Sequence, residues 1–315
     1  MPRTLITTPT FGRFSDEPWR CLKAAGEVVR PHETHQMPAD ELLRRVPEAD
    51  ALIVGMDAIN AEVLDAAPRL RIVAKHGVGV DTIDVLAARE RGVHVTCAPG
   101  SNSRAVAELT FGGLLGAARQ LGQSHAAVAH CEWPKLYGPE LAGKTVGIIG
   151  FGRIGRLVAG YARAFGMSVQ AHDPYLDAAT IAEYGVSPAD LPDCVSTSDF
   201  LSLHSPGEPH TAPVLDRAAL RSMKQGAVLV NTARGGLVDE SALAEALHDG
   251  HIGAAAIDVF NVEPPTGNPL LQAPRTLLTS HLGACSHEAN QAMGEIVAGD
   301  VARALRGEEP RYAAT

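Results

Sequence analysis

Short runs of β-branched and aliphatic residues recur along this chain between longer amphipathic segments, and one of them leads straight into a glycine-rich turn. That alternation is the pattern of βαβ units, whose strands pair in parallel and whose sheet is covered by helices on both faces. An α/β protein is expected. Two series of strands are legible. The first has candidate strands at 4–7, 27–29, 51–54, 71–74 and 94–96, with helices at 39–45 and 83–91 between them. The second has candidate strands at 146–149, 169–172, 200–203, 227–231, 254–257 and 276–279, which together describe a doubly wound nucleotide-binding domain. Between the series, Pro99-Gly100-Ser101-Asn102 breaks the pattern, and a helix rich in small residues is expected over 103–130, crossing between domains. A last helix is expected over 287–305, ended by Gly307 and Pro310.

At 315 residues the chain has room for two domains. Its formal net charge is −9 and it has no basic run, which argues against nucleic acid, because displacing counterions from a phosphate backbone takes clustered cations. The cysteines Cys21, Cys97, Cys131, Cys194 and Cys285 are odd in number, scattered, and without metal-ligand spacing. They read as reduced thiols. The first residues make no signal-peptide pattern and no stretch approaches a membrane span, so a cytoplasmic, metal-free protein with neither nucleic acid nor membrane as partner is expected.

Gly150-Phe151-Gly152-Arg153-Ile154-Gly155 matches G-x-G-x-x-G directly after a candidate strand and before a candidate helix at 153–165. Alone the motif is weak. Its context strengthens it, because Asp173 closes the next strand 18 residues after Gly155. The glycines permit a tight turn, let backbone approach a pyrophosphate, and seat the helix on the strand, while the helix N-terminus stabilises phosphate charge. Asp173 can accept both ribose hydroxyls and repels a 2′-phosphate, and its neighbours Pro174 and Tyr175 supply no arginine, so NAD is favoured over NADP. The competing reading is a turn that serves only helix and strand packing.

Ligands of an open α/β sheet bind outside the carboxyl ends of its strands, and here those ends are polar. After the third strand of the second series come His204, Ser205 and Pro206; after the fourth, Thr232, Ala233 and Arg234; after the fifth, Asp258 and then Glu263; after the sixth, His281. Hydride transfer to a carbonyl leaves negative charge on oxygen and calls for a proton donor and a cation. His281 can donate the proton, Arg234 can grip a 2-oxo acid through its forked guanidinium, and Glu263 can orient the imidazole and favour its charged form. Taken singly, each also has a plain reading as a surface ion pair, a satisfied polar residue or a loop acid.

The segments 146–155 (VGIIGFGRIG), 231–240 (NTARGGLVDE), 258–265 (DVFNVEPP) and 280–284 (SHLGA) resemble the D-isomer-specific 2-hydroxyacid dehydrogenases, and most of all their 3-phosphoglycerate dehydrogenase branch. Segments 75–84 and 102–110 and Trp133 are also similar, so the likeness extends over nearly the whole chain. The resemblance implies two Rossmann-like or flavodoxin-like parallel-sheet domains joined by crossing helices. A substrate domain would comprise residues 1–98 plus 285–315 and an NAD-binding domain residues 99–284. It implies an NAD-dependent oxidoreductase acting on a 2-hydroxy or 2-oxo acid, with Arg234, Glu263 and His281 as the catalytic and substrate-binding trio. It further implies cofactor contacts from Gly150, Gly152, Arg153, Ile154, Gly155, Asp173, His204, Ser205, Pro206, Thr232, Ala233, Asp258, His281 and Gly283, with Asp258 on the nicotinamide carboxamide. The loop Lys75-His76-Gly77-Val78-Gly79 and Asn102 would hold substrate, the loop by backbone N–H groups on the carboxylate. A homodimer is implied as well.

Two departures bear on the substrate. Where phosphoglycerate dehydrogenases place arginines to meet the phosphate, this chain has Gly55 and Lys75, one cation deleted and the other reduced to a point charge. Lys75 and His76 could still meet an acidic tail. The end at Thr315 fits a catalytic unit without the serine-sensing regulatory domain that many members append. The substrate is expected to be 3-phosphoglycerate, or a smaller acid as in glyoxylate and hydroxypyruvate reductases. A reading of another class is an NAD(H)-sensing binding protein or corepressor without turnover.

Overall fold

The computed structural model describes residues 1–32, 37–207 and 212–314. It divides into two compact units, one of residues 1–102 with 284–314 and the other of residues 103–283.

The first unit holds strands β1 (Arg3–Ile6), β2 (Glu27–Val29), β3 (Ala51–Val54), β4 (Ile72–Lys75) and β5 (His94–Thr96). They form one parallel sheet in the order β2-β1-β3-β4-β5, with Thr4 opposite Ala51 and Leu52 opposite Val73. Every residue of β3 and β4 is buried, which is why β3 reads as an unbroken apolar run and β4 as one up to its closing Lys75, without alternation. Helices enter through side-chain caps: Asn60 accepts the Val63 N–H, and Asp84 accepts that of Ala87. The long helix His287–Leu305 belongs to this unit, where Gly294 comes so near Pro18 that a Cβ would lie 3.0 Å from its ring.

The second unit holds β6 (Thr145–Ile149), β7 (Ser168–His172), β8 (Ser187–Pro188), β9 (Phe200–Leu203), β10 (Ala227–Asn231), β11 (Ile252–Ile257) and β12 (Thr276–Leu278). The order β12-β11-β10-β9-β6-β7-β8 is again fully parallel. It reverses direction between β6 and β9, the switch point where a doubly wound sheet opens a crevice for ligand. Strand β8 was not foreseen, because two exposed residues, one of them proline, leave no periodicity to read.

The small-residue helix expected over 103–130 is in fact two, Ser103–Ala118 and Leu121–Ala129, separated at Gln120, whose φ of 53° is left-handed and cannot continue a helix. The first half is part of the second unit and lies on its sheet. A Cβ on Gly116 would meet Leu277 at 2.6 Å and one on Gly113 would meet Ala256 at 3.1 Å, so the small residues permit close approach of helix to strands. Phe111, Leu114 and Ala117 join Val146, Ile148 and Val230 in the core there. At roughly 1.5–3 kcal/mol for each fully buried large aliphatic side chain, these clusters rather than helix propensity hold the helices in place. Among the described residues no helix is long and apolar enough to cross a membrane, and Cys21, Cys97, Cys131 and Cys194 are free thiols.

Candidate active site

The glycine turn leaves β6 at the switch point. Gly150 has φ +93°, and a Cβ on it would fall 2.5 Å from the Ser205 nitrogen and 2.6 Å from the His204 carbonyl carbon. On Gly155 it would fall 2.3 Å from the Gly150 oxygen. Both glycines are therefore demanded by the protein itself. Gly152 is not, since nothing lies within 4 Å of a Cβ built there, and its open side lies at the N-terminus of the helix Arg153–Ala164, where backbone can approach a phosphate. Arg153 is exposed and Ile154 half-buried on that first turn. At the end of β7, Asp173 is already fixed. One carboxylate oxygen accepts the Phe151 N–H at 2.8 Å and the other accepts that of Tyr175 at 2.9 Å, which aligns the carboxylate beside the turn.

Across the switch point the His204 N–H donates to Ile149 at 2.7 Å, and Pro206 is exposed just beyond. The His204 Nε2 shares a hydrogen bond of 2.8 Å with Ser202, but its Nδ1 and the Ser205 hydroxyl oxygen are buried with no partner among the described residues. Burial lowers the His204 pKa to about 3, so the ring is neutral. Two unsatisfied polar atoms at the mouth of a doubly wound sheet, an open glycine and an aligned carboxylate together fit a dinucleotide. Thr232 lies 2.6 Å from Thr110, whose own proton goes to the Val106 carbonyl at 2.7 Å. Thr232 must therefore donate that contact, and keeps lone pairs to accept another.

The ends of β10, β11 and β12 are joined by hydrogen bonds. Asn231 is buried at the end of β10; its side chain donates to the Arg234 carbonyl at 2.9 Å and accepts the Ala233 N–H at 3.0 Å, and its own carbonyl accepts the Asp258 N–H at 2.9 Å. The Arg234 Nη1 donates to the Ala233 carbonyl at 2.7 Å. The Asp258 carboxylate is also buried and accepts from the Thr279 hydroxyl, the Leu282 N–H at 2.7 Å and the Gly283 N–H at 2.9 Å, while its carbonyl accepts the His281 N–H at 2.9 Å. That grip holds His281 at φ +55°, a backbone conformation that costs a side-chain-bearing residue energy. The Nδ1 of His281 then lies 2.8 Å from Glu263 Oε2, and Glu263 Oε1 accepts the Phe260 N–H at 3.1 Å. A carboxylate in this contact fixes the tautomer and orientation of the imidazole, an arrangement that can pass a proton through the other ring nitrogen.

The loop of the first unit differs from expectation. Gly77 does not offer its amide, because that N–H donates to the Lys75 carbonyl at 2.8 Å, while its carbonyl accepts from Ala98. The N–H groups of Val78 and Gly79 make no hydrogen bond among the described residues. Lys75 is buried and its ammonium donates to the Gly55 carbonyl and, at 3.4 Å, to Thr82. His76 is buried against Phe11 with Nδ1 3.2 Å from Thr10, and burial lowers its pKa to about 4. It carries no charge for an acidic tail at neutral pH, contrary to the sequence expectation. Asn102 is half-buried in the turn before the helix Ser103–Ala118. The residues that sequence reasoning missed are Asn231 and Thr110. A lone polar residue closing an apolar strand was the available signal for Asn231; Thr110, inside a helix, offered only its place at the end of the family-like segment 102–110.

Comparison with known proteins agrees with this geometry. Residues 111–283 match the family model for the NAD binding domain of D-isomer specific 2-hydroxyacid dehydrogenases. The chain is 46% identical over 290 residues to the D-3-phosphoglycerate dehydrogenase of Mycobacterium tuberculosis, covering 91% of this chain and 55% of that protein. It thus spans about half the length of the first relatives it matches. A hydroxypyruvate reductase of Thermotoga maritima is 40% identical over 274 residues, with 85% of this chain and 87% of that protein covered. Among solved structures, the TT0316 protein of Thermus thermophilus superposes with a TM-score of 0.89 at 38% identity, over 99% of this chain and 100% of that one. The glycine turn, the aligned aspartate and the linked strand ends are thus found in a chain that belongs to the D-isomer-specific 2-hydroxyacid dehydrogenase family.

Proposed function

We propose that this chain interconverts a D-2-hydroxy acid and its 2-oxo acid with NAD, in the manner of a 3-phosphoglycerate dehydrogenase, using Arg234, Glu263 and His281. The observation that carries the reading is the 2.8 Å contact of His281 Nδ1 with Glu263, held on a strained histidine at the strand ends. Bound NAD supplies or accepts the hydride. In the reductive direction His281, protonated on both ring nitrogens, delivers the Nε2 proton to the carbonyl oxygen as negative charge develops there, while Glu263 stabilises the imidazolium through Nδ1. Arg234 holds and polarises the 2-oxo acid.

For the cofactor, Asp173 is assigned to the adenosine ribose, Gly152, Arg153 and Ile154 to the pyrophosphate, and Ser205 and Thr232 to hydrogen bonds along the dinucleotide. Asp258 is assigned to the carboxamide, since the oxygen that accepts from Gly283 has a second lone pair. In the first unit, Val78 and Gly79 are the N–H donors assigned to a carboxylate.

A second reading, an unphosphorylated acid such as glyoxylate or hydroxypyruvate, is favoured by one observation. A Cβ on Gly55 would meet Thr8 at 2.8 Å, and the Lys75 ammonium is already bound to the Gly55 carbonyl, so this corner offers little free cation to a phosphate. We also infer a cytoplasmic homodimer. Its support is the set of exposed apolar residues Leu121, Val128, Trp133 and Tyr137, together with the free thiols Cys21, Cys97, Cys131 and Cys194. Loss of NADH absorbance on mixing with a panel of phosphorylated and unphosphorylated 2-oxo acids tests the reading. Tight NADH binding without turnover of any of them would favour the dinucleotide-sensing alternative.

A further inference from the structure

Glu263 sits on the irregular segment 258–268, which carries two consecutive prolines and closes no helix or strand until Pro269. A carboxylate on such a segment can hold an imidazole at 2.8 Å only if something outside the segment fixes it. Glu263 itself is fastened within the loop, by the Phe260 N–H. The fastening from outside comes from the segment that bears Arg234. Glu240 Oε1 accepts the Asn261 N–H at 2.9 Å, and Glu240 Oε2 accepts the Asn268 side-chain amide at 2.8 Å. The Asn268 amide is itself oriented, because its oxygen accepts the Leu270 N–H at 3.0 Å. One carboxylate therefore ties both ends of residues 261–268, and Glu263 lies between the ties. Five residues before Glu240, Gly235 brings its backbone against the same place, where a Cβ would fall 2.1 Å from the Phe260 carbonyl carbon.

We infer that Glu240 is a positioning residue for the proton-transfer pair, acting by clamping the two ends of the loop that presents Glu263 to His281. This rests on the oxidoreductase reading above. Glu240 touches neither His281 nor Glu263. Its effect is on where the Glu263 carboxylate stands, and so on how well the imidazolium is supported when it gives up its proton.

The test is steady-state reduction of the best 2-oxo acid by NADH for the wild type, Glu240→Ala and Glu240→Gln, with pH profiles and NADH affinity for each. The clamp predicts that Glu240→Ala loses about tenfold in kcat, with KM for the 2-oxo acid and NADH affinity within about twofold, and that the alkaline limb of its reductive profile moves to lower pH. Glu240→Gln, whose amide oxygen keeps the Asn261 tie, retains more than half of kcat. An unchanged kcat and pH profile in Glu240→Ala would overturn the inference. So would a loss in which NADH affinity and thermal stability fall in step with kcat, because that is a general structural defect. An inactive wild type would instead defeat the oxidoreductase reading.

Discussion

The two parallel sheets of this molecule end their strands in polar residues, but they use them in opposite ways. In the first unit Lys75 and His76 are only 7% and 8% exposed, and Asp57 beside them is taken up by the Thr7 hydroxyl at 2.6 Å and the Gly55 N–H at 3.0 Å. In the second, the side chains of Glu263 and His281 stay 26% and 43% exposed, while the buried Asn231 and Asp258 behind them do the holding. A strand end in an α/β fold is thus an address, and burial decides whether the group there becomes framework or stays available for chemistry.

The largest effect should come from breaking the available pair. His281→Ala is expected to lower kcat by about 10²–10⁴ while NADH affinity, measured by fluorescence titration, holds. His76→Ala in the first unit, a buried neutral ring, should show no such selective loss of kcat. The two glycine loops should differ next. Gly150→Ala puts a Cβ on backbone at positive φ and should cost about 3 kcal/mol in urea unfolding, whereas Gly77→Ala, whose Cβ would press only on the flexible Lys75 chain at 3.3 Å, should cost under about 1 kcal/mol.

Acid should act on both units through their buried histidines. His76 and His204 have native pKa values lowered from 6.5 to about 4 and about 3, so below pH 6.5 the unfolded chain binds protons that the native chain refuses. Their stability contribution is complete above 6.5 and is lost as pH falls toward 4 and 3, at about 1.4 kcal/mol per pH unit per histidine. Chemical denaturation at pH 7 and pH 5 should show the loss, and His76→Gln should reduce it. Equal stability at the two pH values would remove both rings from the buried neutral state. The smallest effect is local: Asn60→Ala removes the cap on the Val63 N–H and should cost about 1 kcal/mol by thermal unfolding.

Much of this was legible in the sequence, and the gaps have physical causes. Strands such as Ala51–Val54 and Ala227–Asn231 announce themselves because both faces are buried and every position is apolar or nearly so. Arg234, Glu263 and His281 could be placed from the sequence at the ends of neighbouring strands because strand order brings distant segments to one edge. What could not be read is which polar groups are consumed internally. Lys75 and His76 look like binding residues until their burial is known, and the break at Gln120 turns on one left-handed residue with no glycine to mark it. Asp258 was assigned to a cofactor, and its grip on Leu282 and Gly283 depends on a turn that no local pattern specifies.

The central claim is that the chemistry resides in the His281–Glu263 pair of the second unit. The most direct measurement is the single-turnover rate of NADH oxidation by a saturating 2-oxo acid, comparing the wild type with His281→Ala. The account predicts a wild-type burst of NADH loss and a variant slowed at least a hundredfold with cofactor binding intact; equal rates in the two proteins would contradict it.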